Sequence, residues 1–311
     1  EIGVRLVGSE MCIRDRYSSH KYTIYRVYLC VVIVLLLLRN DGNIQSPKGK
    51  EKPKATEDIM NTKTARQIEE MKKQTIGVEI EMNSISRSKA AKLASQFFGT
   101  GRYKNTADRN GYCTYSAWDE QGREWKFQKD VSIAGIDSEK CEMVTPILNY
   151  SDIETLQELV RILRKAGAKS DSTRGCGVHI HIGAKGHTAK TLRNLANIMA
   201  SHEQLLIDAL NLDEVRIRRY CKTVDPRFLE QVNRTKPETM SQLADVWYKS
   251  HDENYGRSHH YNGSRYHMLN LHATFTKGTV EFRLFQFDRP ANGKQLSLIH
   301  ISEPTRRTPI S

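Results

Sequence analysis

Apolar and polar positions alternate in "TIGVEIEMN" (75–83). Val78, Ile80 and Met82 fall on one side, and Glu79 and Glu81 on the other. A period of two predicts a strand with two unlike faces. "GVHIHIG" (177–183) repeats the pattern, with Val178, Ile180 and Ile182 opposing His179 and His181. So does "TVEFRLF" (279–285), where Val280, Phe282 and Leu284 oppose Glu281 and Arg283. In "MLNLHATF" (268–275), Leu269 and Leu271 oppose Asn270 and His272; this stretch and 279–285 read as a hairpin joined by "TKG". Further strands are expected in "GYCTYSAW" (111–118) and "REWKFQKD" (123–130), around the turn "DEQG", and in "KCEMVTP" (140–146), closed by Pro146. Helical periodicity appears in "SRSKAAKLASQFFG", with Ser86 as N-cap and Gly99 as stop. It is clearest in "SDIETLQELVRILRKAG" (151–167), where Ser151 and Glu154 suggest a capping box. Leucine-bearing helices broken at Pro226 and Pro237 are expected across 188–250, then a polar, aromatic, histidine-bearing loop over 250–267.

The polar faces carry an unusual set: Glu79, Glu81, His179, His181, Asn270, His272, Glu281 and Arg283, with Glu142 a further candidate. A half-solvated antiparallel sheet is the plain explanation. Solvated faces, however, favour Thr, Lys and mixed charge, whereas the first strand shows two carboxylates and nothing else polar between them. Two such groups lie about 6.6 Å apart along a strand and repel by roughly 2–3 kcal/mol at an effective dielectric near 20. A divalent cation reverses that sign. Carboxylates with an occasional imidazole suit Mg²⁺ or Mn²⁺ better than zinc; zinc would draw on Cys176 near His179, with no second cysteine placed to help. Asp130 and Ser132 in "KDVSI" read by default as turn residues, and His259, His260 and His267 as loop histidines.

The ends change the domain picture. "LVGSEMCIRDR" (6–16) and "LSLIHISEPTR" (296–306) back-translate as the two strands of one oligonucleotide resembling a sequencing-library adapter, so both are read as translated scars. Residues 1–59 and 296–311 are therefore set outside the fold. One domain is expected over 60–295, with Met60 as the natural start and the natural C-terminus lost near Gln295. The apolar run Val27–Leu38 is shorter than the roughly 20 residues a membrane-spanning helix needs. No membrane span is expected, and the expected compartment is the cytoplasm. The chain's net charge is +12, and the moderate basic excess left once the ends are set aside suits an anionic ligand such as a nucleotide, as it does many soluble proteins. Cys113, Cys141, Cys176 and Cys221 lack CxxC spacing and read as free thiols in a reducing compartment, Cys113, Cys141 and Cys221 as buried ones.

The ordered set "GVEIEM … KDVSI … CEMVTPIL … GVHIHIG … RYHMLNLH … TVEFRLF", over about residues 75 to 288, resembles the amidoligase family. These are ATP-dependent carboxylate–amine ligases related to glutamine synthetase and glutamate–cysteine ligase. The resemblance implies an α+β protein with the glutamine-synthetase-like catalytic fold: a curved antiparallel sheet around the active site, helices packed outside, the C-terminal part truncated here. It also implies that Glu79, Glu81, Glu142, His179 and Glu281 are ligands of Mg²⁺ or Mn²⁺. His181 takes a substrate or supporting role, and Arg283 is the phosphate-facing arginine. Arg265 and Asn270 match the "RY…LN" motif with a nucleotide or substrate role, and Asp130 and Ser132 match a "D-x-S" motif.

The expected reaction joins a carboxylate and an amine, small molecules or peptides, through an acyl phosphate made with ATP. Neither a Walker A motif nor GxGxxG is present, so phosphate binding would rest on cations and basic side chains. The competing readings are a metal-dependent hydrolase or nuclease on the same ligands, and a non-catalytic nucleotide- or nucleic-acid-binding domain. Nucleic acid is disfavoured, because "YGRSHHYNGSRY" alone interleaves aromatic and basic residues and it reads as a loop.

Overall fold

The computed structural model describes residues 72–286, apart from 108, 110 and 211. The expectations for 1–59 and 296–311, including the apolar run 27–38 and the start at Met60, lie outside these residues. The chain is α+β. Its strands form an open, eight-stranded, antiparallel sheet. In chain order these are β1 (Ile76–Met82), β2 (Tyr103–Asn105), β3 (Tyr115–Trp118), β4 (Glu124–Gln128), β5 (Cys141–Val144), β6 (Val178–Gly183), β7 (Leu269–Asn270) and β8 (Thr279–Phe285). Their spatial order is β2-β3-β4-β5-β1-β6-β8-β7, so β1, the first strand in sequence, lies inside the sheet between β5 and β6.

The alternation read from the sequence becomes a register of apolar rows. Leu269, Phe282, Ile180 and Val78 are successive cross-strand partners, as are Phe127, Met143, Ile80 and Val178. All of these except Val178 are buried, in one continuous apolar core. Helix α1 (Arg87–Phe97) lies over β2, β3 and β4, and α2 (Ile153–Lys165) lies against α1. The long α3 (Ala189–Ala209) meets α5 (Pro226–Thr235) and α6 (Met240–Ser250); α4 (Glu214–Arg219) and α7 (His272–Lys277) are single short helices. Among the described residues no helix is long and apolar enough to cross a membrane.

Local chemistry sets the boundaries. Ser86 caps α1 by accepting from Lys89 N–H at 3.2 Å. Asp225 caps α5, and Pro226 occupies its first turn, where a missing N–H costs nothing. Pro226 therefore begins a helix, while Pro237 falls between α5 and α6. The expected capping box at Ser151 and Glu154 is displaced. The box is formed two residues earlier by Asn149 and Asp152, whose Oδ2 accepts from the Asn149 N–H at 2.8 Å, and it opens a 3-10 turn that runs into α2. Two further corrections bear on the sheet. The predicted 268–275 strand pairs with β8 only at Leu269 and Asn270, after which the chain turns helical and ends at Gly278 with φ +71°. The predicted strand 111–118 begins only at Tyr115, because Cys113 sits at φ +47°, which extended backbone does not allow; its thiol is exposed rather than buried.

Candidate functional site

The polar sides of the central strands meet in register. One row runs Gln128, Glu142, Glu81; the next pairs Glu79 with His179; the third runs Gly77, His181, Glu281, Asn270. Cross-strand partners share a face, so the five candidate cation ligands, His181 and Asn270 lie on one side of β5, β1, β6, β8 and β7. A solvated sheet face would leave these groups in water. Instead Glu81, Glu142, His179, His181, Asn270, Glu281 and Arg283 are all buried, and the plain reading of a polar outer surface does not hold.

The side chains are within reach of one another. His179 Nδ1 is 3.2 Å from Glu79 Oε2 and 3.8 Å from Glu281 Oε1, and its Nε2 is 3.9 Å from Glu81 Oε1. His181 Nε2 is 3.3 Å from Glu79 Oε1, and its Nδ1 is 2.9 Å from Thr279 Oγ1. Arg283 donates to Glu281 Oε1 at 2.6 Å, and Asn270 donates to Glu281 Oε2 at 2.7 Å. Gln128 donates to Glu142 Oε2 at 2.8 Å. Three overlapping groups offer ligand atoms within 4.8 Å of one another: Glu81, Asp130 and Glu142; Glu79, Glu142 and His179; and Glu79, His181 and Glu281. Glu142 and Glu79 are each shared, so the groups form a line across the sheet.

Electrostatics divides the carboxylates. Burial raises Glu81 to about 7, Arg216 opposing and Asp130 adding to the rise. Burial, with Glu79, Glu81 and Asp130 nearby, pushes Glu142 well above the usual carboxylate range. Burial also disfavours ionised Glu281, but Arg283 and His181 outweigh it and bring this carboxyl down to about 2. Glu79 is likewise held low against its burial, by hydrogen bonds to His179 and His181. Burial and Arg283 lower His179 to about 4, so its imidazole is neutral with a lone pair to give. One half of the site thus carries compensated charge, and the other half carries carboxyls that want a cation. Glu81 Oε2 is buried without a hydrogen-bond partner, and an orphaned buried acceptor of this kind calls for an explanation. A hard divalent cation bound by carboxylate oxygens and a neutral imidazole fits this donor set.

The remaining candidates sit at the rim. Arg265, at the end of a 3-10 turn, lines a small cleft with His260, Asn270, His272, Lys277 and Glu281. His272 leaves the strand face expected for it and starts α7, where its Nδ1 is 2.7 Å from the Tyr248 hydroxyl. Asp130 joins Glu81 and Glu142, while Ser132 N–H donates to Asp130 Oδ1 at 2.6 Å in a turn. Cys176 is in none of the ligand groups found among the described residues; its Sγ accepts from Asn83 Nδ2 at 3.8 Å.

Several supporting residues escaped the sequence reading. Gln128 follows from the alternation of β4, whose Trp125 and Phe127 point into the core. Lys277 Nζ, 3.5 Å from Glu79 Oε1, and Arg216 had no such signal. Arg216 comes from α4, is fully buried, and donates to the Arg283 carbonyl at 2.9 Å and the Cys176 carbonyl at 3.3 Å.

Compared with known proteins, residues 72–289 match the model of a family described as "Putative amidoligase enzyme". No curated protein matches the chain, and no solved structure does.

Proposed function

Since the chain belongs to this amidoligase family, we propose that it is a ligase that joins a carboxylate to an amine at the expense of ATP, on a glutamine-synthetase-like catalytic fold. The observation that carries the reading is the line of Glu81, Glu142, Glu79, His179, His181 and Glu281 across β5, β1, β6 and β8, all buried except the half-buried Glu79, with its orphaned acceptor at Glu81. The reaction moves the γ-phosphoryl group of ATP to a carboxylate oxygen, releasing ADP. The amine then forms the amide or isopeptide bond as phosphate leaves with the electron pair of the C–O bond. Mg²⁺ or Mn²⁺, when bound, supplies charge neutralisation of the triphosphate and orientation of its γ-phosphoryl group.

This chain's own groups have separable tasks. Glu79, Glu81, Glu142, His179 and Glu281 hold the cations. Asn270 and Arg283 occupy both Glu281 oxygens and fix that carboxylate's direction. Arg283 keeps its Nε without a partner, a directed N–H for a phosphoryl oxygen. Arg265 and Asn270, on the rim cleft, are placed to meet nucleotide or substrate. His181, held by Thr279, supports or contacts substrate. The test is ADP release by the full chain, screened over amino acids and peptides. The ligase reading expects release that needs both a carboxylate and an amine. Phosphate release indifferent to amine would replace it with the hydrolase reading, and nucleotide binding without turnover with the binding-domain reading.

A further inference from the structure

Away from the sheet face, Asp225, His251 and His267 bring one ligand atom each to within 4.8 Å of one another. They come from three separate elements. Asp225 caps the start of α5, His251 caps the end of α6, and His267 lies in the segment that leads into β7. His251 Nδ1 is 2.6 Å from the Trp247 carbonyl, and His267 Nδ1 is 3.1 Å from the Ser264 carbonyl. A carbonyl only accepts, so each Nδ1 carries the hydrogen and each Nε2 is left with the lone pair. This is how a carbonyl fixes the tautomer and ring direction of a metal-ligating histidine. His251 Nε2 is buried and has no hydrogen-bond partner. Burial holds His267 down to about 4 and lowers His251 as well, so both rings are neutral and available to a cation.

We propose that Asp225, His251 and His267 form a second metal site, separate from the sheet-face cluster, for a first-row divalent transition ion of the zinc class. Two imidazoles and one carboxylate suit Zn²⁺, Co²⁺ or Ni²⁺ and not Mg²⁺. Tetrahedral bonds of about 2.0–2.1 Å need ligand atoms about 3.3 Å apart, so the triad closes modestly on loading. Asp225 is oriented from outside the site, its Oδ1 accepting from Arg227 N–H at 2.8 Å. The ion ties the α5–α6 hairpin to the segment under Arg283. Tyr266, beside His267, has its ring centroid 5.8 Å from the Arg283 guanidinium, and Met268 on the other side accepts from Arg283 N–H at 2.9 Å. The alternative is plain aromatic packing, since the His251 ring also lies tilted against Trp247, centroids 4.2 Å apart, and edge-on to His267 at 4.6 Å.

The test uses the full chain stripped with chelator. Glu79→Gln and Glu142→Gln are introduced together to silence the sheet face, since every one of its three ligand groups contains one or the other, and Co²⁺ is the probe. Visible d–d bands and equilibrium dialysis report bound Co²⁺, and circular dichroism reports folding. The expected result is one equivalent of Co²⁺ in this background, competed by Zn²⁺ and not by Mg²⁺. Adding His251→Gln should abolish it. Adding Asp225→Asn, which keeps a good helix cap, should weaken it at least tenfold. Should His251→Gln fail to fold, Asp225→Asn decides alone. Absence of Co²⁺ uptake in the background protein, or affinity unchanged in folded Asp225→Asn, overturns the site and leaves an aromatic cluster.

Discussion

Glu81→Gln should stabilise the metal-free protein at alkaline pH while removing its response to Mg²⁺. Glu81 is 4% exposed, and burial lifts its carboxyl from the ordinary 4.5 to about 7. Below pH 4.5 the group is protonated both folded and unfolded, and contributes nothing to the pH dependence. Between 4.5 and 7 the unfolded chain releases its proton while the folded chain keeps it, so stability falls as pH rises. Above 7 the loss is complete, about 3 kcal/mol at 1.36 kcal/mol per pH unit. Gln has nearly the same shape and no charge to lose. Urea unfolding in chelator at pH 5 and pH 8 reads the effect, because distant titrating groups such as His267 are common to both proteins and cancel in the difference; Glu142, which the Glu81 charge helps to raise, moves with it. The variant's advantage over wild type should grow by roughly 2–3 kcal/mol between those pH values. Saturating Mg²⁺ at pH 8 should then raise wild type markedly and the variant little. A variant whose stability tracks wild type at both pH values would refute the claim that Glu81 is a buried, uncompensated carboxyl.

Other perturbations separate the parts of the site. His179→Ala should weaken Mg–ATP binding by calorimetry without unfolding the chain; undiminished affinity in both this variant and Glu81→Gln, each folded, would sink the ligase reading. Arg283→Met leaves Glu281 buried without its cation and should cost about 3–5 kcal/mol in denaturant; restoration of much of that by Arg283→Met/Glu281→Gln would show the pair, not the arginine alone, to be responsible. Gly177→Ala should destabilise by about 1–3 kcal/mol, since its new Cβ would lie 1.9 Å from Arg216 Nη2 and break the bonds to the Cys176 and Arg283 carbonyls; a neutral effect on thermal unfolding would show that Arg216 has room to move.

Much of this site was legible because β1, β6 and β8 alternate without interruption. Glu79 and Glu81, His179 and His181, and Glu281 and Arg283 had to fall on the polar sides, and cross-strand register did the rest. Glu142 stands opposite Glu81, a pairing that "KCEMVTP" alone does not announce. What failed was short or non-local. "LNLHATF" alternates for four residues and then forms a six-residue helix, too short for its period to be told from a strand's. β2 is three exposed residues with no apolar face to read. Arg216 looks like one charge among several in "EVRIRRY", and only the fold puts it behind Arg283.

The strand order has a consequence for assembly during synthesis. β1 emerges early, and its neighbours β5 and β6 follow about sixty to a hundred residues later, but β8, which carries Glu281 and Arg283, comes last of all. Until it docks, the sheet stops at β6, and His179 and His181 lack the Glu281 carboxylate beside them. Pairing of β8 with β6 delivers the Glu281 carboxylate and the Arg283 guanidinium that compensates it in the same event. Glu281 and its counter-charge thus arrive together, and a ribosome-bound chain ending before Thr279 should hold an edge at β6 that is open to wrong partners.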